Sequence, residues 1–213
     1  MKRANVRNSQ LTKDSIKISA ANLFIKKGFY GTSISDIVEN SGQNKRMIYH
    51  HFGSKEALYQ SIYNEKLGQF YGILNLTIPD ISSLSSAIEI KDCLNKLAIE
   101  FFNMLARDND FVRMMAWNEI EMDQTLSAGI WENITSKIFG RIKKILQLAK
   151  QKKIINNDLD PDNLLIGILG IISSYFANAK LTAHLLESDI RSENNLNKHR
   201  QLIHLIMDAA IKT

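Results

Sequence analysis

The residues best placed to do chemistry lie between Thr32 and Lys55, where three short helix starts follow one another. Ser33 can cap a helix beginning at Ile34, and Asp36 three positions later completes a capping-box pair. Gly42 supplies a turn, Asn44 caps the next helix, and that helix opens with Lys45 and Arg46. Two cations at a helix N-terminus oppose the helix dipole, so an isolated helix does not favour them there. Phosphates lying against the same end reverse the balance. Ser54 caps a third start, with Lys55 at its first position. The chemistry this suits is DNA recognition by a helix-turn-helix, whose second helix enters the major groove.

The elements that position these residues follow from apolar spacing. Ile34, Ile37 and Val38 give the first short helix one stripe, and Ile34, Ile37, Ile48 and Phe52 form the structural half of the motif. A preceding helix is predicted over 12–27, with Ile16, Ala20, Leu23 and Phe24 inward and Gly28 at its end. The helix opened by Ser54 continues to about residue 75 and carries the chain out of the head. Charge agrees: residues 1–56 hold ten Lys or Arg against four acids, whereas the other 157 hold 17 against 18. A basic head on a neutral body is the electrostatic layout of a DNA-binding module joined to another.

Residues 16–60 resemble the DNA-binding domain of the tetracycline-repressor (TetR) family of bacterial transcription regulators. The resemblance rests on AANLFIKKGFYGTSISDIVENSG, then KRMIYHHF, then SKEAL, without insertion or deletion. It implies that Lys45, Arg46 and Tyr49 occupy the exposed side of the recognition helix, with Gln43 adding a contact from the turn. It places Tyr49 and His50 at DNA-backbone positions, and Thr32, Ser33 and Lys55 at phosphates. Gln43, Asn44 and Arg46 depart from residues usual in the family, so no relative's operator can be borrowed.

The rest of the chain reads as helix, with stretches at about 85–107, 110–123, 128–154, 162–187 and 195–212 separated by polar or proline-containing breaks. The expected fold is all-α with about nine helices. A three-helix helix-turn-helix head (residues 1–56) precedes a helical ligand-binding and dimerisation bundle (residues 57–213). Gly167, Gly170, Ser174 and Ala177 form a stripe of small side chains, and Leu202, Ile206 and Ala209 lie on an apolar face of the last helix. Such surfaces suit close packing within the chain or, as the resemblance to a family of homodimers implies, a four-helix interface with a second copy. Between residues 101 and 139, adaptable and aromatic side chains are dense, which suits a pocket for an apolar or aromatic effector. Phe101, Met104, Met114, Trp117, Asn118, Glu121 and Trp131 are its candidate lining; ordinary core packing is the alternative.

Catalysis fits poorly. The chain has no GxSxG elbow, phosphate-binding glycine loop, HExxH or Glu-x-x-His pair. Its single cysteine, Cys93, excludes an internal disulfide and a multi-cysteine metal site, and neither metal nor cofactor is expected. No apolar run reaches membrane-spanning length and the basic N-terminus lacks a signal-peptide core, so a cytoplasmic location is expected. Together with the resemblance, these features imply a small-molecule-controlled repressor that binds a palindromic operator as a dimer. The competing readings are a sequence-independent architectural DNA binder, and an apolar-ligand carrier or enzyme with a vestigial head.

Overall fold

The two short helices of the head open and close on groups within four residues of their ends. Ser33 Oγ accepts from Asp36 N–H at 3.0 Å while the Asp36 carboxylate accepts from Ser33 N–H at 2.8 Å, a complete capping box. Gly42 ends that helix at φ +66°, a left-handed conformation that other L-residues resist. Asn44 Oδ1 accepts from Met47 N–H at 3.0 Å and starts the next, and Ser54 Oγ accepts from Ala57 N–H.

The computed structural model describes residues 2–121 and 136–211, with side chains of 2–8 and Ser136 omitted. Its described residues form ten α-helices. These are α1 (Lys2–Lys27), α2 (Ile34–Ser41), α3 (Lys45–Phe52), α4 (Lys55–Thr77) and α5 (Ala87–Arg107), then α6 (Asn109–Glu121), α7 (Ser136–Gln151), α8 (Pro161–Ala177), α9 (Ala179–Leu186) and α10 (Glu193–Ala210). No strand occurs among them; Ile155 and Ile211 make an isolated antiparallel bridge. The all-α expectation holds, with one helix more than nine. The extra helix arises where the stretch 162–187 breaks at Asn178, and α8 and α9 meet at 80°. Thr182 Oγ1 donates to Tyr175 O at 3.1 Å across that bend, bonding a carbonyl in the last turn of α8. Residues 128–135 of the expected helix 128–154 lie outside the described residues.

The described residues pack as two compact units. The first comprises 2–68 and 113–121. Its core is aromatic: Phe24 and Phe29 meet Tyr59 edge-on at 5.0 and 5.3 Å, and Tyr59 stacks on Tyr63. Ile16, Ala20, Ile37 and Ile48 are fully buried beside it. The second unit comprises 69–112 and 136–211. There α5 packs against α7, α8 and α10, and α7 against α8. Phe70 meets Phe101 and Phe111, and Phe102 meets Tyr175, Phe176 and His199. No single helix among the described residues is long and apolar enough to cross a membrane.

Candidate nucleic-acid interface and effector cavity

In the first unit α3 divides cleanly into two faces. Ile48 is fully buried, whereas Lys45, Arg46, Tyr49 and His50 are exposed. Neither Lys45 nor Arg46 is paired with a carboxylate among the described residues; the Lys45 ammonium lies 5.8 Å from the Tyr49 ring. Two unpaired cations, a phenol and an imidazole thus share one helix surface, the donor set that reads phosphates and base edges. Gln43 is half-buried at the turn, and Ser33 is exposed. Among the four expected structural residues, Ile37 and Ile48 are fully buried, while Ile34 and Phe52 are only half-buried.

Thr32 and Lys55 face inward. Thr32 is buried and its hydroxyl donates to Gly28 O at 2.8 Å. The Lys55 ammonium donates to Phe29 O and Thr32 O, each at 3.0 Å, and lies 4.0 Å from the Phe29 ring. Two of its three N–H groups therefore hold the α1–α2 turn, leaving one for a phosphate. The same turn is held from α6. Glu121 Oε2 accepts from Phe29 N–H at 2.5 Å, and Trp117 Nε1 donates to Ile25 O at 3.3 Å. Gly28, at φ +75°, leaves the space Glu121 occupies: a Cβ there would fall 2.5 Å from Glu121 Oε1.

Two further groups escape the sequence reading. Lys13 of α1 reaches the end of α3, its ammonium 5.9 Å from the Phe52 ring. It helps to depress the His51 pKa, behind burial and the neighbouring His50. Tyr30 is 65% exposed and meets Phe29 edge-on. Only the pairing of α1 with α3 could reveal Lys13; the solvent-facing Tyr30 had no periodicity to mark it.

The second unit contains a cavity of ≈ 50 Å³ walled entirely by apolar side chains from α4, α5, α7, α8 and α10. That is several times the room one water needs, yet no wall offers water a polar partner. Phe101 is the one candidate lining residue found in this wall. Met104 is buried in α5 away from it, while Met114, Trp117, Asn118 and Glu121 belong to the first unit. Trp131 lies outside the described residues.

The small-residue stripe of α8 faces outward. Gly167, Gly170, Ser174 and Ala177 are all exposed, and a Cβ on either glycine would meet no atom within 4 Å. On α10, Leu202 and Ala209 are exposed and Ile206 is half-buried. Ile166 and Leu205, both 66% exposed, add large apolar side chains on the same helices. Exposed apolar surface on adjacent helices is what a partner covers.

Comparison with known proteins agrees with both units. The model described as bacterial regulatory proteins, tetR family, matches residues 19–62, and that of the tetracyclin repressor-like C-terminal domain matches 91–206. The transcriptional repressor NicS of Pseudomonas putida is 25% identical over 182 residues, spanning 84% of this chain and 82% of NicS. FadR from Bacillus subtilis, solved with stearoyl-CoA, shares the fold at a TM-score of 0.67 and 21% identity, over 92% of this chain and 98% of that one. AibR, solved with isovaleryl coenzyme A and operator DNA, does so at 0.72 and 17% identity, over 94% and 100%. With a basic recognition helix in one unit and a family match across most of the other, the chain belongs to the tetR family of bacterial regulatory proteins.

Proposed function

We propose that this regulator represses transcription from a palindromic operator, which it binds as a homodimer and releases when a small apolar effector fills the cavity of the second unit. The observation carrying this reading is α3, whose exposed Lys45 and Arg46 have no carboxylate partner among the described residues while Ile48 locks the opposite face. In this reading residues 1–56 meet DNA and residues 57–213 hold the effector and the second copy. Lys45 and Arg46 contact phosphates or guanine edges, Tyr49 and His50 the backbone, and Gln43 and Ser33 the flanking phosphates. Lys55 adds charge with its remaining N–H, and Thr32 shapes the turn that presents Ser33.

The exposed stripe of α8 and the outer face of α10 pair with their copies, which sets two recognition helices at the spacing of two half-sites. The effector acts by preferring a conformation of the dimer that does not fit the operator, so occupancy shifts the population away from DNA. An acyl chain suits walls without polar groups, and the stearoyl and isovaleryl thioesters bound by FadR and AibR are of that kind. The protein works in the cytoplasm and turns nothing over.

Selection of sites from random duplex DNA with purified protein tests this. Enrichment of a palindrome with half-sites one helical turn apart is the expected result. Binding without sequence preference, falling steeply with salt, would make it an architectural DNA binder instead.

A further inference from the structure

The cavity of the second unit is unevenly covered. Ten of its fourteen wall side chains are buried, and the four that are half-exposed are Phe139 of α7 and Leu164, Leu165 and Leu169 of α8. Its opening therefore lies between α7 and α8. Lys143 follows Phe139 by four residues and Asp162 precedes Leu165 by three, so each shares a helix face with a residue of the rim. The two meet there: Lys143 Nζ lies 3.0 Å from Asp162 Oδ2, with their side chains 45% and 54% exposed.

The charge around this pair has one sign along α7. Residues 136–154 contain seven Lys or Arg and no acid. Three of the seven are engaged with backbone carbonyls: Arg141 with Ile78 O, Lys150 with Asn157 O and Leu159 O, and Lys152 with Ser85 O. Lys143 is the cation paired across the rim, and among the described residues its partner is an exposed carboxylate. Exposed ion pairs of this kind are weak and exchange readily. A wall without polar groups, for its part, cannot accept a buried charge. Any ionised group on a ligand must therefore stop at the opening, where Lys143 stands.

We propose that the effector is a single-chain amphiphile with an anionic head, whose chain enters between α7 and α8 and whose carboxylate or phosphate displaces Asp162 from Lys143. This rests on the cavity being the effector site and adds to it the class of molecule and the residue that selects it. Lys143 acts as the head-group receptor and Asp162 as its competitor, holding the cation in place while the site is empty.

Equilibrium dialysis of the full-length protein with dodecanoate, dodecyl phosphate and dodecanol, each below its micelle threshold, tests the assignment. The parent protein should bind both anions about fivefold more tightly than the alcohol. Lys143→Gln should erase that preference and Lys143→Arg should keep it. Asp162→Asn should tighten binding of the anions and leave the alcohol unchanged. A merely structural pair would make Lys143→Gln and Asp162→Asn act in the same direction, which overturns the proposal. Equal affinity of the parent for all three molecules overturns the head-group assignment alone. Leu169→Trp, at the half-exposed rim where bulk is tolerated, should weaken all three; failure of the folded parent to bind any of them overturns the cavity as effector site as well.

Discussion

Both units are built of helices, but they put them to opposite ends. The first is tied at the α1–α2 turn: the carbonyls of Ile25, Gly28, Phe29 and Thr32 all accept from side chains, and its aromatic core centres on Tyr59. The second keeps an apolar void and leaves large apolar side chains in the open on α8, α9 and α10. Interiors normally pack to crystal-like density, so a void is stability forgone. The contrast teaches that a surface reading DNA geometry needs a fixed backbone, while a surface answering to a ligand needs room to repack.

The largest expected effect tests whether the two faces of α3 are separate. Ile48→Ala should destabilise the first unit by about 3 kcal/mol, since it empties a fully buried site. Lys45→Ala should leave the melting curve in place, yet weaken operator binding and lower the salt slope by about one phosphate contact. Phe52→Ala, at a half-buried ring, should fall well short of Ile48→Ala in thermal melts. If Lys45→Ala melts like Ile48→Ala, the division fails.

A matched pair of enlargements compares the cores directly. Ala20 is fully buried in the first unit and Ala98 borders the void in the second. Ala20→Leu should cost about 1–3 kcal/mol through overpacking. Ala98→Leu should stabilise by about 0.5–1 kcal/mol by filling space. Urea denaturation of the two variants reads the signs; the same sign in both would remove the distinction drawn above.

The smallest effect concerns acid. Among the described residues each unit carries one capping box, Ser33 with Asp36 and Ser86 with Glu89. Asp36 is held below its ordinary pKa chiefly by the Ser33 N–H, and Glu89 is held at about 2 chiefly by the Ser86 N–H, with help from Ser85. A carboxylate with a depressed folded pKa lends stability that is complete above its unfolded value and disappears as pH falls through the folded one. Stability should therefore decline between pH 4.5 and about 2 on account of Glu89, and Glu89→Gln should make the decline shallower. Asp36→Asn should do the same for the first unit. Parallel acid melts of parent and variants decide; an unchanged slope in both would show that the caps carry no pH dependence.

Legibility followed sequence separation. The helix starts at Ser33, Asn44 and Ser54 and the polar face of α3 depend on neighbours within four residues, so residue order alone exposes them. The inward turn of Lys55 depends on carbonyls 23 and 26 residues away, and its sequence position next to a DNA-reading motif suggests phosphate instead. The cavity was harder still. Its walls come from Leu74 to Met207, on five helices, and Met104 and Met114 are core residues of two different units. The break at Asn178 had no glycine or proline to announce it; the Thr182 hydroxyl makes it possible.

Gly28 and Glu121 also constrain how this protein can drift through sequence space. Any side chain at 28 would strain a backbone at φ +75° and push the Glu121 carboxylate off the Phe29 N–H. A lineage can reach such a residue by shortening position 121 first, and the reverse order passes through a doubly impaired intermediate. Two positions far apart in the chain therefore inherit together, one as an absence and the other as the group that fills it.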